Sequence, residues 1–595
     1  MSARPNLGVR ALLIATLAGA ASAATPTQSP PAHVTPPPPS TLRIGLWTLW
    51  HDKQVSVAAN PAATLRLCET CPPSTLDHPI QIRASANELA LPSNRLTGSV
   101  WLSGPITLAA HDESLALRNP IRITARNGEL VLIVILPVES YVERVVSSES
   151  GPADSPESLK ALAIVVRSFA LHQPHGHADY DLCDSTHCQL LHWASHAFQA
   201  NPAAHAATLS TAGETLWFHS QRAQAWFHQN CGGRTASPQE VWPAKSPNSS
   251  SGSGPTPWLI SHNDPYCTAN GAREWSANLS KSDLTAALAA AGLARPGWNA
   301  LTVSSRGESG RALKLLVDSS PISAEDFRLA VGRSLGWGQI LSTWFEVSRQ
   351  GDRFLFHGRG SGHGVGLCQA GAAAMSAQGR NATAILAQYF PGAETEDETT
   401  GRAWQSFQAN GIVLETLDRT DAAFLPALAQ ALNDAKTRSG IQATHPLTVR
   451  AFRSTPSFRD ATLAPGWVAA FTEGNWIATQ PLATLAARKM LYATLRHEFL
   501  HILIESQAAP TTPLWLREGL VEAFDDRTIP PGPTPTLKLE EVDRALSHAS
   551  TEAESQAAHQ AAEWYTWRLI DRSGREQMLQ WLRNGLPASA LTAIK

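Results

Sequence analysis

Between residue 42 and about residue 134 apolar and polar side chains alternate in short runs, as in Leu42-Arg43-Ile44-Gly45-Leu46 and Ile121-Arg122-Ile123-Thr124. From residue 138 the apolar spacing becomes helical. This change of period predicts an α+β first domain, β-rich at its start. One helix is predicted over 138–146. A second runs on to His172, because Ser155-Pro156-Glu157 supplies a cap, a first-turn proline and an early acid. The two helices flank the segment 147–154. Farther on, strand-like runs surround a glycine-rich segment at 358–366, and 372–378 reads as a helix.

A chain of 595 residues exceeds what one apolar core organises. The acidic, threonine-rich stretch Glu394-Thr395-Glu396-Asp397-Glu398-Thr399-Thr400 is the expected boundary, giving a first domain over 42–395 and a smaller α+β domain over 402–595. In the second, a helix at 422–438, strands at 447–452 and 467–471, and one long helix at 482–506 are predicted.

At the N-terminus Arg4 and Arg10 precede an apolar run, 11–20, and the small-residue pattern Ala21-Ser22-Ala23, which reads as a signal peptide over 1–23. The run is shorter than the ~20 residues that span a bilayer, and no transmembrane anchor is expected. A proline-, threonine- and serine-rich tether over 24–41 follows. Export places the mature chain in the periplasm or cell wall, where disulfides persist. Seven cysteines, Cys68, Cys71, Cys183, Cys188, Cys231, Cys267 and Cys368, leave at least one outside any disulfide. Spacing allows a Cys68–Cys71 bridge and a Cys231–Cys267 bridge across the serine-rich stretch 246–253. With 47 Lys+Arg against 50 Asp+Glu the net charge is −3, which excludes the basic field that gathers nucleic acid. A neutral, glycan-like partner fits better.

Leu136-Pro137-Val138-Glu139-Ser140-Tyr141-Val142-Glu143-Arg144-Val145-Val146-Ser147-Ser148-Glu149, followed by Glu157-Ser158-Leu159-Lys160-Ala161 and Val166-Arg167-Ser168-Phe169-Ala170, resembles the opening of the SpoIID/LytB family. Asp181-Leu182-Cys183-Asp184-Ser185-Thr186-His187-Cys188-Gln189, then His228 with Cys231-Gly232-Gly233-Arg234-Thr235, then Gly362-His363-Gly364-Val365-Gly366-Leu367-Cys368-Gln369-Ala370-Gly371-Ala372 are similar to its later signatures, in the same order. The resemblance covers about 42–395. It implies a lytic transglycosylase cutting peptidoglycan glycan strands, or a LytB-type enhancer whose partner is a cell-wall amidase. It further implies Glu149 as catalytic acid, Arg167, Gln189, His228, His363 and Gln369 as saccharide contacts, and zinc at His177, Cys183 and Cys188.

By residue pattern alone, Glu149 also reads as a solvated loop acid, and Cys183 with Cys188 as a disulfide. Glu139 and Glu143, four apart, read as an exposed helix face. The glycines around His363 are expected to let backbone approach a ligand closely. Cys368 stands where some relatives carry serine, and no base is assigned to it.

In the C-terminal helix, His497-Glu498-Phe499-Leu500-His501 sets two imidazoles one turn apart with a carboxylate beside them, the spacing of a metallopeptidase zinc site. Leu514-Trp515-Leu516-Arg517-Glu518-Gly519-Leu520-Val521-Glu522 offers Glu518 as third ligand, and Glu522 as a supporting acid. About 445–525 resembles the gluzincin metallopeptidases, which implies zinc at His497, His501 and Glu518 and Glu498 as catalytic base.

Overall fold

Alternation turns Leu42 and Ile44 of the strand Thr41–Leu46 into the core, while Arg43 faces outward and meets Asp181 at 2.7 Å. The computed structural model describes residues 40–595 except 60–62, 93–94, 173–175, 194–200, 243–255, 270–272, 295–296, 526–533, 550 and 593–595. The expected signal peptide, nearly all of the tether and the serine-rich loop 246–253 lie outside the described residues. Mixed helix and strand agree with an α+β fold.

Thr41–Leu46 pairs antiparallel with Glu129–Pro137, which pairs in turn with Ile121–Arg126 inside a seven-stranded sheet. On its other edge the short strand Leu182–Cys183 adds in parallel and fixes Cys183 beside Gly45. A six-stranded antiparallel sheet built around Gln54–Ala59 contributes Val55 and Val57 to the same core. Cys68 and Cys71 form the expected local disulfide.

Glu129–Pro137 runs straight into the helix Val138–Glu149, one turn longer than predicted, so that Glu149 is its last residue. The helix Pro156–Leu171 begins at the predicted cap, with the Ser155 N–H donating to Ser158 Oγ at 2.9 Å. It is buried all round from Ala161 to Leu171, as a helix through the middle of a core must be. Glu139 corrects the reading of an exposed face: it is buried and holds Arg167, fully buried, through Nε to Oε1 at 2.8 Å and Nη2 to Oε2 at 2.5 Å. A guanidinium taken out of water requires such a partner.

The stretch 274–359 has an apolar core of its own, with Leu284, Phe327, Phe345, Phe354 and Phe356 buried together. Its first and last strands, Glu274–Ser280 and Arg353–Arg359, pair antiparallel, so this lobe returns the chain to the point where it left. Sequence periodicity predicted one domain here and missed the inserted core.

The C-terminal part centres on a five-stranded sheet in which Ile412–Thr416, Leu447–Ala451 and Trp476–Thr479 run parallel, with Ala470–Glu473 antiparallel at one edge. That edge strand lies a few residues past the predicted 467–471. The long helix predicted over 482–506 is two helices, Leu482–Ala487 and Leu491–Glu505, broken where Lys489 takes a left-handed φ of 60°. The acidic stretch read as a boundary is woven into the fold: Glu394–Asp397 pairs with Glu214–Phe218. Burial pushes the Glu398 carboxyl up to about 8.

The first and last parts of the chain meet through a small core of Leu209 and Ala212 against Phe452, Phe458, Trp476 and Ala478. Arg450, 1% exposed, crosses this seam to Glu214 Oε1 at 2.7 Å and the Ser210 carbonyl at 2.7 Å, its guanidinium 3.8 Å from the Trp404 ring centre.

Candidate functional site

The C-terminal end of Val138–Glu149 carries its last carboxyl between a loop and a second helix. The backbone N–H of Leu190 donates to the Glu149 carboxylate, yet burial outweighs this and pushes the carboxyl up to about 7. From the other side Gln369, the first residue of the helix Gln369–Ala377, donates Nε2 to the Glu149 main-chain carbonyl at 3.1 Å. Glu149 is thus a half-desolvated acid at a helix end, not a freely solvated one.

The Leu190 loop is held by a thiol and imidazole cluster. His177, Cys183, His187 and Cys188 each present a donor atom within 4.8 Å of the others. His177 Nε2 is 3.2 Å from Cys188 Sγ, and His187 Nδ1 lies 3.7 Å from Cys188 Sγ and 3.8 Å from Cys183 Sγ. The two thiols are unbonded to each other. Two sulfurs and two imidazoles at these separations match the donor set of a tetrahedral structural zinc site. His187 was missed as a ligand, although its place directly before Cys188 was visible. Tyr141 joins cluster and acid: its buried hydroxyl donates to Gln189 Oε1 at 2.9 Å. Burial first, then the nearby Cys188, Cys183 and Glu149, pushes its phenol well above the usual range.

Of the other expected saccharide contacts, Gln369 stands beside Glu149, while Gln189 is buried against Tyr141. Arg167 is placed beneath the site, its guanidinium taken by Glu139 and by the Glu214 carbonyl at 3.0 Å. His228 is buried with Nδ1 donating to the Val365 carbonyl at 3.1 Å. His363 accepts from the Val365 N–H at 3.1 Å, and its ring meets that of His228 edge-on at 5.6 Å. Burial, aided by Arg328 and Arg311, draws His363 down to about 3, so it is neutral at physiological pH. Two of the glycines around His363 are packed against protein. Gly366, at φ 74°, lies against the Trp226 carbonyl, and Gly364, at φ 86°, against the Arg311 guanidinium; a Cβ at either would collide.

Residues 126–218, from the strand pair before Glu149 through the thiol loop and Glu214, match the family model described as stage II sporulation protein, SpoIID. This stretch of the chain is similar to the SpoIID domain. Residues 260–366, which contain the inserted core, match the model of a domain of unknown function, DUF8618. An uncharacterised protein of Brachyspira hyodysenteriae is 26% identical over 274 residues, covering 46% of this chain and 70% of the relative. Stage II sporulation protein D of Bacillus subtilis is 26% identical over 281 residues, covering 44% and 75%. The counterpart from Bacillus amyloliquefaciens is 24% identical over 277 residues, covering 44% and 75%. Among the described residues no helix is long and apolar enough to cross a membrane.

Outside the stretch that matches SpoIID a second constellation forms on Leu491–Glu505 and the following helix Leu514–Asp525. His497 Nε2 and His501 Nε2 converge to 3.1 Å, and Glu518 Oε2 is 3.8 Å from His501 Nε2. The other nitrogen of His497, Nδ1, faces Asp525 at 3.4 Å, which turns Nε2 toward His501. Thr472, on the edge strand Ala470–Glu473, donates its hydroxyl to Glu498 Oε2 at 2.5 Å. Burial raises the Glu498 carboxyl above its ordinary value. Glu522 is 3.1 Å from His559 Nδ1 on the helix Glu552–Ser573. Two imidazoles, with a carboxylate near one of them, are the residue types of a zinc donor set. Asp525, His559 and Thr472 were missed, because their distance along the chain from the histidine pair hides the contact.

Proposed function

We propose that the chain is an exported cell-wall enzyme whose SpoIID domain cleaves peptidoglycan glycan strands as a lytic transglycosylase, with Glu149 as its acid and base. The carrying observation is the placement of the Glu149 carboxyl at a helix end, met by the Leu190 N–H, with Gln369 on its main-chain carbonyl, where burial raises it to about 7. Near neutrality such a group is available in both protonation states. Protonated, it gives its proton to the glycosidic oxygen as the bond to the sugar breaks. As carboxylate it takes the proton of that sugar's own 6-hydroxyl as the new ring closes, which restores the acid and consumes no water. Leu190 and Gln369 hold the residue in place, and a zinc ion at His177, Cys183, His187 and Cys188 would stiffen the Leu190 loop.

Mass spectrometry of sacculi treated with mature protein tests this. Anhydro-ended products from the wild type, and none from Glu149→Gln, are expected. Equal digestion by both removes Glu149 from the role. Stimulation of an added cell-wall amidase by Glu149→Gln, without glycan products, would instead indicate a binding module.

The Thr472–Glu498 contact favours a second activity, zinc-dependent peptide hydrolysis in the C-terminal part. His497, His501 and Glu518 would hold the ion, which when bound acidifies water and polarises a carbonyl. Glu498, desolvated and oriented by Thr472, is the group placed to take and return a proton. Asp525 keeps the His497 ring turned for binding. Metal analysis should show one zinc fewer in His497→Ala than in the wild type, with full occupancy retained in Glu498→Gln; unchanged zinc in His497→Ala overturns this reading.

A further inference from the structure

Three cysteines far apart in sequence come together with an acid. Cys231 follows the short strand Phe227–His228, Cys368 ends the parallel strand Leu367–Cys368, and Asp264 and Cys267 sit on one turn. All four are buried, and one donor atom of each lies within 4.8 Å of the others. Cys231 Sγ is 3.3 Å from Asp264 Oδ2. The expected Cys231–Cys267 disulfide is not formed, whereas Cys68 and Cys71 are bonded.

Backbone amides point at the sulfurs. The Cys231 N–H donates to Cys368 Sγ at 3.2 Å, and the Gly233 N–H donates to Cys231 Sγ at 3.3 Å. Gly232 and Gly233, at φ 75° and 102°, make the turn that aims them. N–H groups directed at sulfur stabilise thiolate and give a disulfide little. Asp264 is fixed as well: its Oδ1 accepts from the Tyr266 and Cys267 N–H groups at 3.1 Å, and its Oδ2 from the Tyr389 hydroxyl at 2.9 Å. Such an outer shell orients metal ligands.

Arg311 supplies an independent sign. It is 1% exposed and spends Nη2 on the Cys231 carbonyl at 2.9 Å, while its Nε and Nη1 have no hydrogen-bond partner. A buried cation so placed calls for negative charge nearby. The sulfur cluster and Glu325 are the groups near enough to provide it.

We propose that Cys231, Asp264, Cys267 and Cys368 form a second sulfur-rich zinc site, separate from the one at His177, Cys183, His187 and Cys188. Three thiolates and one carboxylate suit a soft tetrahedral divalent ion, and each thiol releases its proton on binding. The site joins three chain segments and anchors Cys368, whose neighbour Gln369 holds Glu149. Its role is structural.

The full mature chain, purified without reductant and with zinc present, tests this by thiol mapping and metal analysis. Alkylation in denaturant with chelator, followed by peptide mass spectrometry, should label Cys231, Cys267 and Cys368 each as a free thiol. Alkylation of the folded chain without chelator should label none of them. Zinc per chain should fall by one in Cys267→Ser, and separately by one in Cys183→Ser. Wild-type mapping decides even where a variant does not fold. A disulfide-linked peptide among the three cysteines overturns the proposal, as do three free thiols with zinc unchanged in a folded Cys267→Ser.

Discussion

The side chain of Gln369 donates to the main-chain carbonyl of Glu149 at 3.1 Å, joining the first residue of one helix to the last of another. Loss of one such bond costs about 0.5–1.5 kcal/mol, or roughly 2–10-fold. Gln369→Leu is therefore expected to destabilise the fold by about that free energy and to lower the turnover of glycan cleavage beyond what the lost stability explains. Steady-state kinetics on purified sacculi beside a thermal melt separates the two.

Glycan cleavage should fall as pH rises through about 7, the value to which burial brings Glu149, because the acid form is then lost. Stability follows the same sign. The folded-state value lies above the unfolded value, so the contribution of this group is full below about 4.3 and is lost as pH climbs through about 7. Glu149→Gln should accordingly melt higher than the wild type at pH 8, by on the order of 1–3 kcal/mol, with the gap closing toward pH 4. Melting curves across that range check it.

Removing one partner of the Glu139–Arg167 pair strands a buried charge, which costs about 3–5 kcal/mol. Arg167→Met should destabilise the chain by that amount, whereas replacing both with apolar residues of similar size should recover most of it. Urea titration of the single and double variants measures the coupling. A saccharide contact would instead raise KM with stability unchanged.

Arg450→Met should uncouple the first and last parts of the chain. Calorimetry is expected to show one transition in the wild type and two in the variant, and limited proteolysis should open new cleavage around 398–404. One unchanged transition would argue against this contact as the coupling element.

Local features were legible in the sequence. The period change near 134–138 and the Ser155-Pro156-Glu157 cap located the two helices that frame Glu149, and the His497–His501 spacing placed both imidazoles on one face. Tertiary features were not. Glu139 has the spacing of a solvated acid, and only Arg167 from the next helix makes it internal. Cys231, Asp264 and Cys368 are separated by whole elements, so their meeting depends on how the lobe at 274–359 returns the chain. The break at Lys489 carries neither glycine nor proline, so the apolar pattern runs through it unmarked. Glu398 sits in a run that composition alone assigns to solvent, yet a strand pairing draws it inward.

Leu209, Ala212 and Glu214 lie within the stretch that matches the SpoIID model, but their outer sides are covered by Phe452, Trp476 and Arg450. A chain ending near residue 400 would bare an apolar patch and an unpaired acid there. Ancestry can then be read from one short segment: a relative without the C-terminal part should carry polar residues at the positions of Leu209 and Ala212, and one that acquired it should have exchanged them together with the arginine that reaches across.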